Sequence, residues 1–303
     1  MKIVLMGTGT SFGVPVIGCK CKVCLSECAE DKRMRCSAFI CDENTSVVID
    51  TGPEFRVQSL KFGVSHLDGV LLTHSHADHV HGLDDVRVFS HTRPAVVQIG
   101  STGAQTNFPL ETAGAGLPIY ANKSTVSDLR LRFEYVFHPR FLGGGLPKLN
   151  LLECESFSSK NPLKIGTLSI VPIPMIHGKM SSTGWLIKGR EGEAIAYLTD
   201  CNEIPDESIE EIKRTNWKIR HLVIDGLRVE THPTHCSFNE ALAYAEKIGA
   251  THTWITHVSH DLSHVQIQAY LDKRVPHFPN LSKIVLNGGS VRPAFDGLIL
   301  NAQ

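Results

Sequence analysis

The chain has 303 residues, long enough for a large two-layer or four-layer core. Its 30 basic and 31 acidic residues leave a formal net charge of −1 at pH 7, so no electrostatic footprint for nucleic acid or an anionic membrane is visible. No apolar stretch approaches the ~20 residues that a membrane helix needs. A nucleic-acid or membrane partner is therefore not expected, and the expected address is the cytoplasm.

Met1–Met6 is apolar but is interrupted by Gly7-Thr8-Gly9-Thr10. It is too short for the apolar region of a signal peptide and reads as a first buried strand over Lys2–Met6. Cys19, Cys21, Cys24 and Cys28 then crowd ten residues. Without a secretion signal a disulfide framework is not expected. Cys19-x-Cys21-x-x-Cys24 has the spacing of a thiolate zinc knuckle, whose fourth ligand is either Cys28 or a distant histidine. The competing reading is a set of reduced or redox-active thiols. Cys36, Cys41, Cys154 and Cys201 lie in apolar contexts and read as small buried hydrophobes.

Strands are expected over Ser37–Cys41, Ser46–Asp50 and Gly69–Thr73, with a helix over Glu54–Phe62 that carries Phe55, Leu60 and Phe62 at helical spacing. The third strand runs into Thr73-His74-Ser75-His76-Ala77-Asp78-His79. Three imidazoles and a carboxylate at the end of a buried strand each need a polar partner. Divalent metal ions supply such partners at once, whereas the bland alternative is a solvated, His-rich loop. His74 and His76 point the same way off an extended segment, and Asp78 and His79 can reach a second ion from the turn that follows. Asp50, at the preceding strand end, can hydrogen-bond a ligand histidine. Asp84 and Asp85 read as caps of the next helix.

A strand is expected over Ala95–Ile99. The segment Ser101–Pro162 is rich in Gly and Pro and holds Phe141-Leu142-Gly143-Gly144-Gly145-Leu146-Pro147. It reads as an insertion covering the active-site mouth or as a surface excursion, with Arg140 a candidate contact to phosphate. Further strands are expected over Lys164–Pro172, Thr183–Lys188, Glu193–Thr199, His221–Asp225, Thr253–His257, Lys283–Leu286 and Leu298–Leu300. Helices are expected over Asp206–Arg214, from the capping box Ser237-x-x-Glu240 to Ile248, and over His264–Arg274 with Val265, Ile267 and Leu271 toward the core. No linker or repeat divides the chain, so residues 1–303 read as one domain.

His177, Asp200 and His257 each follow an apolar run, at the strand ends where functional groups collect. With His74, His76, Asp78 and His79 they make seven ligands, enough for two ions. Asp200 suits a bridging role because one carboxylate offers two oxygens.

The H-x-H-x-D-H run, the later His177, the strand-end Asp200 and the final Thr256-His257 resemble the metallo-β-lactamase fold. Gly7-Thr8-Gly9-Thr10-Ser11-Phe12-Gly13-Val14-Pro15, the knuckle Gly18–Cys24 and Thr256-His257-Val258-Ser259-His260 are similar to its PhnP-type branch. That branch comprises the phosphoribosyl cyclic phosphodiesterases of carbon–phosphorus lyase pathways. The resemblance implies an α/β, four-layer αβ/βα sandwich with the metals at one edge of two facing sheets. It puts His74, His76 and His177 on a first metal and Asp78, His79 and His257 on a second, with Asp200 bridging. It also implies a separate structural zinc held by Cys19, Cys21, Cys24 and His260, and an active-site histidine that binds no metal, matched here by His235.

The expected activity is that of a dinuclear phosphodiesterase acting on a small cyclic or nucleotide-like phosphodiester, with Zn, Mn or Fe as catalytic ions and Zn at the thiolate site. In that reading His235 is a general acid or a phosphate ligand, against an alternative structural role at a helix start. Asp78 also orients the nucleophile. Two other readings compete. A ribonuclease Z-like nuclease would need a basic Gly/Pro arm that the sequence does not show. A non-phosphodiesterase metalloprotein of cofactor biosynthesis would not need the full seven ligands. Thioester or lactam hydrolysis suits the same scaffold, since fold does not fix substrate. The stretch Ser101–Pro162 is longer than the spacing usual in the family. A homodimer is the default assembly.

Overall fold

The computed structural model describes residues 1–91, 116–137 and 147–302. The strands of the first half are β1 (Lys2–Gly7), β2 (Ser37–Asp42), β3 (Thr45–Ile49), β4 (Gly69–Leu71), β5 (Leu117–Ala121) and β6 (Leu149–Glu153). Those of the second are β7 (Leu163–Ile165), β8 (Leu168–His177), β9 (Met180–Lys188), β10 (Ala194–Leu198), β11 (Ile219–Asp225), β12 (His252–Thr256), β13 (Ser290–Pro293) and β14 (Ile299–Asn301). The helices are α1 (Phe55–Phe62), α2 (Ala77–Val80), α3 (Lys123–Arg132), α4 (Glu134–Phe137), α5 (Asp206–Arg214), α6 (Phe238–Ile248), α7 (His264–Arg274) and α8 (Pro279–Leu286).

Two mixed sheets result, with strand orders β14-β1-β2-β3-β4-β5-β6 and β13-β12-β11-β10-β9-β8-β7. In the first, β3 through β6 run parallel, while β1 is antiparallel to β14 and β2. In the second, β10 through β13 run parallel and β7 through β10 are antiparallel neighbours. The inner faces meet in one core, where Ile3, Leu5, Ile40, Val47 and Ile49 pack with Trp185, Ile187, Ile195, Tyr197 and Val223. The outer face of the first sheet buries Val48, Val70 and Leu72 against Phe55, Val126 and Leu129 of α1 and α3. The outer face of the second buries Leu186, Leu222 and Ile224 against Ile209, Phe238, Leu242, Ile267 and Leu271 of α5, α6 and α7. This is the four-layer αβ/βα sandwich. Strands covered on both faces explain the continuous Val/Ile/Leu runs.

Local signals set several boundaries. Ser237 accepts from the Glu240 backbone N–H while Glu240 reaches back to the Ser237 N–H, which closes the capping box of α6. Ser263 and Gln266 do the same for α7. Gly249, at φ 73°, ends α6 in the left-handed conformation.

Elsewhere tertiary context decides. The expected single strand over Lys164–Pro172 is a tight hairpin, because Gly166 at φ 50° turns the chain between β7 and β8. The expected strand over Lys283–Leu286 lies inside α8. Pro279 opens that helix at its first turn, and Leu281 and Ile284 face the core at helical spacing. β5, β6 and β13 are strands that pattern reading missed. Pro118 and Pro293 disguised two of them, and the Gly/Pro-rich surroundings disguised the third. Residues 116–137 and 149–153, within the segment read as an insertion or a surface excursion, are thus part of the first sheet and its helical cover. The expected strand Ala95–Ile99, Arg140 and the loop from Phe141 to Leu146 lie outside the described residues. Asp84 and Asp85 sit in the first turn of a 3₁₀ helix capped by Gly82, so they do not themselves cap it. Val265 is 70% exposed, so it does not face the core as expected. The α7 assignment predicts that Ile267→Ala costs about 2–5 kcal/mol in urea unfolding, while Val265→Ala stays within about 0.5 kcal/mol. Equal losses would contradict this orientation.

Candidate metal centre and active site

The site forms where the C-terminal ends of parallel strands from both sheets reach one edge. β3 delivers Asp50, β4 delivers the run Thr73–His79, β10 delivers Asp200, β11 delivers Asp225 and β12 delivers His257. Asp50, Asp200 and His257 all adopt left-handed backbone, at φ 59°, 60° and 59°. For residues with a Cβ this conformation is strained and concentrates where structure over-determines it. A Cβ on Gly52 would lie 2.2 Å from the Asp78 carbonyl oxygen, so only glycine lets the end of β3 approach the motif loop so closely. The motif loop is braced by Ser75, whose hydroxyl donates to Asp128 at 2.6 Å, and by Arg132, which donates to the Ser75 carbonyl.

His74, His76 and His177 bring their ligand nitrogens within 4.8 Å of one another. His177 Nδ1 donates to the Thr234 carbonyl at 2.7 Å, which leaves Nε2 unprotonated and 3.3 Å from His76 Nδ1. Two nitrogens held at ~2.1 Å by one tetrahedral ion would stand about this far apart. His74 Nε2 is buried and makes no hydrogen bond. Burial pushes all three imidazoles below their usual range, His74 most strongly, so this group favours neutral rings with free lone pairs.

Asp78, His79, Asp200 and His257 form a second group of the same tightness. His79 Nε2 lies 3.2 Å from Asp78 Oδ2 and 3.3 Å from Asp200 Oδ1, and His257 Nε2 lies 3.2 Å from that same Asp200 oxygen. Yet neither His79 Nε2 nor either nitrogen of His257 is hydrogen-bonded. Burial opposes ionisation of Asp200, but His257 and His79 outweigh it and hold the carboxyl well below the usual range. Burial likewise opposes charge on His257, and Asp200 outweighs it and lifts the ring to about 9. The second group thus demands positive charge, and a divalent cation meets that demand better than imidazolium protons do. Asp50 accepts from His79 Nδ1 at 2.7 Å and from the Thr73 N–H and hydroxyl, which turns His79 Nε2 toward the group. The two sets of donors fit divalent metal.

His235 stands beside both groups. Its ring stacks on His257 at 4.2 Å and lies 4.8 Å from His177. His235 Nδ1 donates to Asp225 Oδ2 at 2.8 Å, and that oxygen also accepts the Cys201 N–H. Asp225 is fully buried. Sequence reasoning did not single it out; its signal was a carboxylate ending an apolar strand, just before Gly226.

At the thiolate cluster, His260 Nδ1 lies 3.5, 3.4 and 3.4 Å from the sulfurs of Cys19, Cys21 and Cys24. Sulfur at ~2.3 Å and nitrogen at ~2.1 Å from one tetrahedral ion would be about 3.5 Å apart. The Cys24 N–H and then His260 draw the Cys21 thiol down to about 6, in favour of the thiolate. Cys28 is exposed and bonds Glu30 at 2.9 Å, away from the cluster. The knuckle reaches the centre through backbone, because Thr10 N–H donates to the Val258 carbonyl and Val258 N–H to that of Thr8. Cys36, Cys154 and Cys201 are buried as expected, whereas Cys41 is half-buried.

Fold and site define a metal-dependent hydrolase built on the metallo-β-lactamase sandwich. The family model described as a beta-lactamase superfamily domain matches residues 45–258, and the chain belongs to that superfamily and to its PhnP-like branch. A crystal structure described as a new diphosphatase from the PhnP family is 32% identical, with a TM-score of 0.74 over 100% of this chain and 98% of that one. An octanoyltransferase from Porphyromonas gingivalis is 35% identical over 280 residues, which are 91% of this chain but 49% of that protein. The chain therefore spans about half the length of that curated relative. Zn-bound PqqB from Methylobacterium extorquens is 17% identical, with a TM-score of 0.68 over 99% of this chain and 100% of that one, and shows the shared fold alone.

The Asp50–His79 contact carries a prediction. In Asp50→Asn an amide NH₂ must face one of the Thr73 or His79 donors. Metal affinity measured by chelator competition should fall roughly 10–100-fold. Unchanged affinity would show that Asp50 does not orient the ligand.

Proposed function

We propose that the chain is a dinuclear metal-dependent phosphodiesterase acting on a small cyclic or nucleotide-like phosphodiester, of which a phosphoribosyl 1,2-cyclic phosphate is the leading candidate. His74, His76 and His177 would hold one ion and Asp78, His79 and His257 the other, with Asp200 between them. Cys19, Cys21, Cys24 and His260 would hold a structural zinc. When bound, a pair of divalent ions supplies a water activated at neutral pH and neutralises charge on phosphoryl oxygens.

The chain's own residues then do the rest. In this reading Asp78, whose Oδ2 lies 3.2 Å from His79 Nε2, orients the nucleophile as well as binding metal. His235 is the proton donor to the leaving oxygen, whose own basicity is high. Asp225 fixes the His235 Nδ1–H, which leaves Nε2 as the atom that exchanges the proton. The observation that carries this reading is a histidine oriented by a buried carboxylate and stacked on His257 beside seven converging ligands. The 32% identity to a diphosphatase supports phosphoryl chemistry. A second reading, hydrolysis of an acyl ester or thioester at the same centre, is favoured by the 35% identity to part of an octanoyltransferase.

Replacing His235 with Ala should lower turnover of 5-phosphoribosyl 1,2-cyclic phosphate, whose leaving alkoxide is strongly basic, by roughly 10²–10⁴-fold while metal content stays whole. A change of less than twofold would remove His235 from the mechanism. Turnover of an octanoyl thioester but of no phosphodiester would move the assignment to the acyl reading.

A further inference from the structure

In the second sheet β11 runs between β10 and β12, so the residue that ends β11 stands between those that follow its neighbours. That residue is Asp225, paired with Thr256, and the flanking strand ends carry Asp200 and His257. A fully buried carboxylate needs a donor for each oxygen. Oδ2 has two, the Cys201 N–H at 3.0 Å and His235 Nδ1 at 2.8 Å. Oδ1 is sealed from solvent and has none.

His257 has the matching need. Its Nε2 lies 3.2 Å from Asp200 Oδ1, the side on which it would meet metal. Its Nδ1, across the ring, is also sealed from solvent and without a hydrogen-bond partner. An imidazole that binds metal through Nε2 carries its proton on Nδ1, and that N–H calls for a carboxylate or carbonyl. The His257 ring stacks on that of His235 with 17° between their planes. The metal-binding atoms offered by Asp225, His235 and His257 lie within 4.8 Å of one another. Rotation of one carboxyl or one imidazole closes such a span without backbone movement, because these terminal torsions are soft.

We propose that Asp225 is a positioning residue for two imidazoles at once: Oδ2 holds His235, and Oδ1 takes the Nδ1–H of His257 when Nε2 binds metal. One carboxylate then orients both a ligand of the second ion and the proton donor beside it. Asp50 already stands behind His79 in the same group, accepting from its Nδ1 at 2.7 Å. Each imidazole of the second group is thus backed by a buried carboxylate. The proposal rests on the metal-centre reading and not on the identity of the substrate.

Asp225→Asn separates the two roles. Its amide oxygen keeps the Cys201 and His235 donors, and its NH₂ turns toward His257. Chelator competition should show affinity for one catalytic ion falling roughly 10–100-fold in Asp225→Asn, with no such fall in His235→Ala. Proton–nitrogen correlation spectra of the zinc-loaded protein with isotope-labelled histidines give the independent readout. The wild type should show His257 protonated at Nδ1, with a downfield, slowly exchanging proton that moves upfield and exchanges faster in Asp225→Asn. The wild-type spectrum decides alone if that variant does not fold. An unprotonated His257 Nδ1, or two catalytic ions bound with affinity unchanged in Asp225→Asn, would overturn the double role and leave the metal centre standing. A wild type that takes up zinc at the thiolates alone would overturn both.

Discussion

Asp200 is a fully buried carboxylate whose Oδ1 faces two buried imidazole nitrogens that make no hydrogen bond. Such a group is tolerable in a protein interior only if positive charge is held against it. Asp50 and Asp78 add two further carboxylates around His79. The remaining site features serve to bring cation-binding atoms to this charge. Left-handed backbone at Asp50, Asp200 and His257 is strain accepted for that purpose.

The sandwich supplies the convergence. Parallel strands in each sheet end at the same edge, so ligands far apart in sequence meet without long loops. The Thr183 N–H donates to the Thr73 carbonyl, which ties the second sheet to the motif strand. The thiolate cluster anchors His260, three residues after His257, and so restrains the loop that must present the last imidazole. Removal of one partner from such a set leaves the others buried and uncompensated, so its members act as a unit.

The legible part of the site was its local part. The run from His74 to His79 and the Cys19–Cys24 spacing are dense enough to read without a fold. His177, Asp200 and His257 were readable as strand ends because their strands are strongly apolar. Asp225 and the Thr234 carbonyl were not readable, since their roles arise only when β11, α6 and the His257 loop meet. The fold shows the same division. The capping boxes at Ser237 and Ser263 announced α6 and α7, whereas Ile284-Val285-Leu286 is apolar in either a strand or a helix and needed Pro279 and the packing of Leu281 to decide it. β5 and β6 went unread because pairing, of β5 with β4 and of β6 with β5, and not their own composition, makes them strands.

The most direct test of the account is metal content measured alongside turnover of bis(p-nitrophenyl) phosphate, in the wild type and in His76→Ala. The account predicts about three ions per wild-type chain, two catalytic and one held by thiolates, with turnover that His76→Ala abolishes while the thiolate-bound zinc remains. One tightly held zinc and no turnover, even after addition of Mn, would contradict it.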